Sequence, residues 1–135
     1  MNVLFVCVHN AGRSQMAEAY VNFLARERGV AVTAESAGTV SGSSINPVAA
    51  QVMLEDGIGL AGQFPKRIDE AMIARADKVI SMGCGVDAAN CPARFVVTED
   101  WGLDDPAGQP IDVVRAIRDQ IKARVQSLLE GAMSR

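Results

Sequence analysis

The residue types that could do chemistry are concentrated near the start of the chain. Cys7 and Arg13 bracket a short loop that directly follows the apolar run Val3–Val6. A buried strand that turns into a helix at this point presents unpaired backbone N–H groups and the positive end of a helix dipole, both of which bind anions. Small residues at Ala11 and Gly12 allow consecutive N–H groups to line a concave nest. The segment therefore predicts an oxyanion site.

Within this loop, Cys7 is the candidate nucleophile. Arg13 carries a planar, permanently charged fork that suits a tetrahedral oxyanion. The positive surroundings should lower the pKa of the Cys7 thiol, so that it is a thiolate at neutral pH. Ser14 is placed to support that thiolate rather than to complete a capping box, because Glu18 comes one residue too late. The predicted oxyanion-binding residues are Val8, His9, Asn10, Ala11, Gly12 and Arg13.

A structural interpretation of the same cysteine has to be weighed against this one. A cysteine that closes an apolar strand is more often a small buried hydrophobic residue. The arginine and serine at this spacing, followed by a helix-forming segment, favour the nucleophile. His9 is the only histidine of the chain, so a Cys–His dyad would have to use it, although such a residue more often shapes a loop.

Composition narrows the class of protein. The 135 residues are 49% hydrophobic and carry a net charge of −3, which predicts a single globular domain over residues 1–135 and no nucleic-acid partner. The opening apolar run is too short for a signal peptide, and no segment approaches a membrane span. Three cysteines without a secretory signal are typical of the reducing cytoplasm. We therefore expect a cytoplasmic protein, monomeric by default.

Strand-like and helix-like segments alternate along the chain. Strands are predicted at residues 2–8, 30–37, 78–82 and 94–97. Helices are predicted at residues 14–28, 46–56, 69–75 and 111–132, and the first should bury Met16, Ala17, Tyr20, Phe23 and Leu24. This order predicts an α/β fold, a small doubly wound four-stranded parallel sheet flanked by helices. Its ligand should lie beyond the carboxyl ends of the strands, where the Cys7 loop falls.

Two further groups should share that edge of the sheet. Cys84 and Cys91 follow the third predicted strand, which brings Cys84 within reach of Cys7. Two other interpretations of these cysteines stay open, structural thiols or zinc ligands, although the spacings match no zinc-finger pattern. Asp105 follows the fourth predicted strand and is stiffened by Pro106. It is the candidate donor of a proton to an oxygen that leaves a tetrahedral centre.

Together these residues resemble the low-molecular-weight protein tyrosine phosphatases. The loop from Cys7 to Ser14 and its continuation Gln15–Ala19 carry the resemblance, which extends through Ser36–Gly38, Asn46-Pro47 and Trp101–Gly108 and so covers nearly the entire chain. The loop alone marks the superfamily. The pair Cys84 and Cys91, with the tryptophan-to-glycine stretch, points to its cysteine-relay arsenate reductases.

The resemblance implies a mechanism. Arsenate, for which phosphate or sulfate is a mimic, is held by the loop N–H groups and Arg13. Cys7 attacks arsenic while Asp105 protonates the departing water. Cys84 then attacks Cys7 and releases arsenite, and Cys91 attacks Cys84, which passes the disulfide outward to thioredoxin. No cofactor and no metal are needed.

One position departs from the potassium-binding pattern of the family, and the identity of the reductant stays open within the family. Family members that bind potassium near the loop use an asparagine, a glutamate, a serine and an aspartate. Asn10, Glu18 and Ser36 match the first three, whereas Lys66 stands at the aspartate position. Since an ammonium can replace the cation, we expect these four residues to support the loop without potassium. Some actinobacterial relatives use mycothiol and a mycoredoxin instead of a full relay, so the reductant stays open.

Two other functions are compatible with the loop. A protein tyrosine phosphatase would form a phosphocysteine on Cys7 and use Asp105 first as acid and then as base. The aromatic wall expected to grip a phosphotyrosine ring is missing, because Ala107 and Gly108 stand there. An anion-sensing or redox-regulated binding module would keep the loop but would not need Asp105.

Overall fold

Four parallel strands form a sheet in the computed structural model, which describes residues 1–40, 42, 44–60, 62–82 and 99–133. The strands are β1 (Asn2–Cys7), β2 (Thr33–Gly38), β3 (Lys78–Ser81) and β4 (Glu99–Asp100), in the order β2-β1-β3-β4. The helices are α1 (Arg13–Arg28), α2 (Pro47–Glu55), α3 (Glu70–Arg75) and α4 (Ile111–Met133). The predicted α/β fold is confirmed.

The central strand β1 is covered on both faces, as its unbroken apolar sequence requires. Val3 and Phe5 belong to the core shared with α1, α2 and α4. Leu4 and Val6 point the other way, into a smaller core with Met72 of α3. Because β1 pairs with β2 on one side and with β3 on the other, the chain reverses direction across the sheet at this strand. The carboxyl end of β1 is thus the switch point, where doubly wound folds bind ligands.

The starts of two helices follow the predicted cap residues. The side chain of Asn46 accepts hydrogen bonds from Val48 N at 2.9 Å and Ala49 N at 3.4 Å, with Pro47 in the first turn of α2. The Asp69 carboxylate accepts one from Met72 N at 2.8 Å at the start of α3. Each side chain satisfies backbone donors that a helix start would leave unpaired.

Helix α1 is tied to the two helices beside it by a polar cluster. Tyr20 Oη donates to Asp56 Oδ2 at 2.8 Å, and Lys122 Nζ of α4 lies 2.9 Å from the same oxygen. Burial, aided by the Asp56 carboxylate, raises the pKa of Tyr20. The Lys122 ammonium lowers the pKa of Asp56. These contacts help to hold α1, whose first turn carries the site. No helix in the described ranges combines the length and apolarity that a membrane crossing needs.

Two details differ from the sequence-based predictions. Strand β2 begins at Thr33 and not at residue 30, because Gly29 (φ 65°) ends α1 in the left-handed conformation and Val30 N donates to Ala25 O at 2.9 Å. Residues 29 and 30 therefore complete the helix end. Phe23, which the helical spacing places on the buried face of α1, is 38% exposed. The predicted strand 94–97, Cys84 and Cys91 all lie outside the described residues.

Candidate active site

Cys7 lies at the base of a cavity of about 440 Å³ at the carboxyl end of β1. Its side chain is almost fully buried, with 4% exposure. The sulfur lies 2.9 Å from Ser14 Oγ and accepts a hydrogen bond from Asn10 N at 3.2 Å. Donors that point at a cysteine sulfur stabilise the thiolate more than the thiol. This is the arrangement that an activated nucleophile requires.

Three carbonyls of the loop of residues 7–14, here called the nucleophile loop, accept hydrogen bonds from backbone N–H groups outside the loop. Val8 O, His9 O and Ala11 O accept hydrogen bonds from Val40 N, Gly42 N and Asn46 N at 2.8, 3.0 and 2.7 Å. Since the N–H of a trans peptide points opposite to its carbonyl, the N–H groups that follow face away from the 40–46 segment. That of Asn10 reaches the Cys7 sulfur. The nest of N–H donors for an anion stays a prediction of the sequence.

Two positions fix the shape of this loop. Asn10 adopts the left-handed conformation with φ 54°, which residues other than glycine rarely adopt. Gly38 at the end of β2 packs directly beneath the loop, where an added Cβ would come within 2.5 Å of Val8 O and 3.0 Å of Asn10 N. Only glycine allows the two backbones to approach so closely.

Arg13 connects the nucleophile loop to two other parts of the site. The side chain is buried at 6% exposure, and its Nη1 donates to Met82 O at 3.2 Å and Leu103 O at 2.6 Å. No ion pair joins it to a carboxylate in the part of the chain that the structure describes. A buried guanidinium without a carboxylate partner leaves its charge available to a bound oxyanion.

The opposite wall of the cavity carries the predicted acid. Asp105 is exposed at the rim, and its Oδ1 accepts a hydrogen bond from Ala107 N at 2.9 Å. Pro106 is buried against the nucleophile loop, where a Cβ added to Gly12 would lie 2.9 Å from Pro106 Cγ. The structure therefore brings Asp105 into the same cavity as Cys7.

The four predicted loop-supporting residues meet beneath the loop. Lys66 N donates to Asn10 Oδ1 at 2.9 Å, and Lys66 Nζ lies 3.7 Å from Glu18 Oε1. Ser36 Oγ donates to the same Glu18 oxygen at 2.9 Å. Lys66 Nζ also donates to Phe64 O at 3.2 Å. The ammonium thus lies among oxygens that a monovalent cation could otherwise use.

One buried residue of this region was missed. The sequence gives Gln15 no role beyond its place in the motif, yet the residue is fully buried and donates to Asn10 Oδ1 at 2.9 Å. The only sequence signal was a polar residue directly after Ser14, in a helix turn that should be buried. His9 lies exposed on the cavity rim. Across the described residues, no three histidine, cysteine or acidic side chains cluster in a way that would hold a metal ion.

A buried cysteine in a strand–loop–helix nest, at the switch point of a doubly wound sheet, defines a phosphatase-like oxyanion site. The chain matches the family model "Low molecular weight phosphotyrosine protein phosphatase" over residues 2–134 and belongs to that family.

Similar proteins carry the names of arsenate reductases. The chain is 42% identical over 131 residues to the "Glutaredoxin arsenate reductase" of Synechocystis sp., with 94% of this chain and 95% of the relative covered. It superposes with a TM-score of 0.81 on "An arsenate reductase in the phosphate binding state", at 36% identity and 97% and 98% coverage. A "thioredoxin-dependent arsenate reductase" of Corynebacterium glutamicum superposes with a TM-score of 0.74 at 33% identity, covering 98% of this chain and 61% of that one.

Proposed function

We propose that this protein is an arsenate reductase that uses Cys7 as its nucleophile. The observation that carries the proposal is the placement of three groups around one cavity: the hydrogen-bonded sulfur of Cys7, the guanidinium of Arg13 and the carboxyl of Asp105. The relatives named as arsenate reductases support arsenate as the substrate. Family membership also leads us to expect residual phosphatase activity.

The first step is substitution at arsenic. The backbone N–H groups of residues 8–13 and the guanidinium of Arg13 hold the arsenate oxygens, and the Cys7 thiolate forms a bond to arsenic. An As–O bond breaks, and the leaving oxygen departs as water with a proton from Asp105. Before the attack, Asn10 N donates a hydrogen bond to the sulfur, and Ser14 Oγ lies within hydrogen-bonding distance of it.

The second step transfers two electrons to arsenic. The Cys84 thiolate attacks the Cys7 sulfur, a disulfide forms, and the electron pair of the S–As bond remains on arsenic, which leaves as arsenite. Cys91 then attacks Cys84, frees Cys7 and forms a Cys84–Cys91 disulfide. An external dithiol reduces this disulfide to close the cycle. The assignment of these two cysteines rests on the sequence.

The described lining of the cavity favours a small oxyanion over a phosphotyrosine side chain. It contains no Phe, Tyr or Trp, and Ala107 occupies the rim beside Asp105. A phosphotyrosine ring would need an apolar wall to bury it, whereas arsenate needs only donors and charge. The same donors serve phosphate and sulfate, which we expect to compete with arsenate.

Lys66 takes the place of a potassium ion beneath the loop. Its ammonium lies within reach of Glu18 Oε1 and Phe64 O, and its backbone N–H holds the Asn10 side chain. A tethered cation needs no ion from solution. We therefore expect neither a potassium requirement nor a metal cofactor.

Thioredoxin is the reductant that we propose, in the reducing cytoplasm. The support is the Corynebacterium glutamicum structure named as thioredoxin-dependent. The Synechocystis relative is named for glutaredoxin, and mycothiol with mycoredoxin is a further low-molecular-weight system. Three coupled assays with arsenate separate them: thioredoxin with its reductase, glutaredoxin with glutathione, and mycoredoxin with mycothiol.

Arsenite formation and NADPH oxidation should be fast in the thioredoxin assay and slow in the other two. Faster turnover with either of the other systems would replace thioredoxin as the reductant. Arsenite formation in none of the three, with p-nitrophenyl phosphate hydrolysed instead, would refute arsenate reduction and favour the phosphatase.

The relay is tested by mass spectrometry after a single turnover. Cys84→Ser should form the Cys7 adduct and release arsenite slowly, because no internal thiol attacks it. Cys91→Ser should release one arsenite and stop with Cys7 linked to Cys84. Full thioredoxin-coupled turnover by Cys91→Ser would remove Cys91 from the mechanism. Retained turnover by Cys84→Ser with mycothiol alone would show that an external thiol replaces the relay.

A further inference from the structure

Gln15 is a buried amide side chain that the proposed chemistry does not use. It lies in the first turn of α1, fully shielded from solvent. Its Nε2 donates to Asn10 O, Asn10 Oδ1 and Phe64 O, each at 2.9 Å. Its Oε1 accepts from Gln63 Nε2 at 2.7 Å. The amide therefore bridges the nucleophile loop and residues 63–66.

The orientations of the Gln15 and Asn10 side-chain amides follow from backbone groups that can only donate or only accept a hydrogen bond. Asn10 O and Phe64 O can only accept, so the NH2 group of Gln15 must face them. Lys66 N can only donate, so the atom of Asn10 that it contacts must be the oxygen, Oδ1. Gln15 donates to that same oxygen. The NH2 group of Asn10 is thereby turned toward Ser14.

This orientation determines the direction of the Ser14 hydroxyl. Asn10 Nδ2 donates to Ser14 Oγ at 2.8 Å, so the serine oxygen is the acceptor in that bond. Its single proton is left to donate to the Cys7 sulfur, 2.9 Å away. A second donor to the sulfur, Asn10 N, depends on the left-handed backbone of Asn10, which Gln15 holds through the carbonyl.

We propose that Gln15 is a positioning residue for Cys7. By fixing the backbone and the amide of Asn10, it aims two donors at the sulfur, the N–H of Asn10 and the hydroxyl of Ser14. Gln15 itself does not line the oxyanion cavity. The inference rests on the proposed role of Cys7 as nucleophile, but it does not depend on arsenate being the substrate.

The test measures the reactivity of the Cys7 thiolate directly. The chain has three cysteines, so a background with Cys84→Ser and Cys91→Ser leaves only Cys7, and its alkylation by iodoacetamide is followed against pH by mass spectrometry. Gln15→Met keeps the length of the side chain and removes its hydrogen bonds. We expect the midpoint of alkylation to rise by about one pH unit, the equivalent of one lost hydrogen bond. Inorganic phosphate should also protect Cys7 less well.

A matched control is available on the same helix. The Asn22 side-chain amide makes paired hydrogen bonds with the Ala34 backbone, at 3.1 Å from Nδ2 to O and 2.9 Å from N to Oδ1. These bonds connect α1 to β2, and Asn22 is not among the residues that line the cavity. Asn22→Leu should lower the thermal stability and leave the midpoint of Cys7 alkylation unchanged.

The outcomes separate this inference from the proposed function. A folded Gln15→Met protein with the wild-type midpoint would overturn the positioning role, and so would an equal rise in Asn22→Leu. If Gln15→Met does not fold, Gln15→Leu decides by the same criterion, because it removes the donor to Asn10 O without adding a charge. Arsenate reduction is measured separately on the unaltered protein. Its absence would refute the reductase but not a shift in the alkylation midpoint.

Discussion

The two walls of the cavity are built differently. Behind the wall formed by the nucleophile loop, the side chains of Asn10, Ser14 and Gln15 are fully buried and hydrogen-bonded to one another or to backbone. On the facing wall, Asp104 and Asp105 are exposed, and Asp105 accepts a hydrogen bond from the backbone of Ala107. Under the proposed function, the groups that bind the anion are held in place before it arrives, whereas the proposed acid Asp105 is exposed and free to follow the leaving oxygen.

Two contacts join the walls, and two adjacent residues of the nucleophile loop make them. Gly12 packs against the ring of Pro106, and Arg13 donates to Leu103 O. Both contacts fix the backbone on either side of Asp105 and leave its carboxyl at the rim. Substitutions on each wall, and where the two walls meet, should therefore reduce the activity by different amounts.

The largest loss of activity is expected from Arg13→Lys, on the wall formed by the nucleophile loop. Lysine keeps the charge but cannot place two parallel donors on an oxyanion or span Met82 O and Leu103 O. We expect kcat/KM for arsenate to fall by about a thousand-fold, as when an oxyanion donor is removed. Arg26→Lys, in the exposed last turn of α1, is the control and should leave the kinetics unchanged. Near-normal kinetics for Arg13→Lys would mean that the arginine only begins a helix.

On the exposed wall, Asp105→Asn removes the proposed proton donor. We expect kcat to fall by about a hundred-fold, the usual scale for general acid catalysis, with little change in inhibition by phosphate. Asp104→Asn removes an equal charge from the same cavity lining and should change kcat little. Equal losses in both variants would assign the effect to charge and not to proton transfer. An unchanged Asp105→Asn would remove this residue from the chemistry.

Most of the fold was predictable from local signals. The apolar run before Cys7 gave β1, and the pair Asn46-Pro47 gave the start of α2. The start of β2 was misplaced because Val30-Ala31-Val32 has a strand-like composition, whereas Val30 N donates to Ala25 O. Helix-ending hydrogen bonds depend on the backbone conformation of Gly29 and not on the hydropathy of the residues that follow.

The site was predictable to the extent that it is contiguous in sequence. The loop predicted that Ser14 would support Cys7, and their side chains lie within hydrogen-bonding distance. The role of Gln15 was not predictable, because it depends on Phe64 O, which is 49 positions away. The packing of Gly12 on Pro106 is equally non-local. Such contacts are set by how the strands and helices assemble.

An added methyl group at Gly12, where the two walls meet, should reduce the activity by an intermediate amount. In Gly12→Ala the new Cβ would lie 2.9 Å from Pro106 Cγ, so the segment that carries Asp105 must shift. We expect kcat to fall by about ten-fold, since small displacements of a catalytic group are costly. Gly131→Ala, where an added Cβ meets nothing within 4 Å, is the matched control and should keep full activity. A fully active Gly12→Ala would show that the acid wall tolerates displacement.

The smallest effect on activity is expected from the residues that support the nucleophile loop from beneath. Because the Lys66 ammonium already lies beside Glu18 Oε1 and Phe64 O, replacing choline chloride with potassium chloride should change the wild-type rate by less than about two-fold. Lys66→Asp places a second carboxylate beside Glu18, and the repulsion should be relieved by a bound cation. That variant should lose activity in choline chloride and regain part of it in potassium chloride. Strong activation of the unaltered protein by potassium would show that Lys66 does not replace the ion. A Lys66→Asp variant as active as the unaltered protein in both salts would show that the loop is held by its own hydrogen bonds alone.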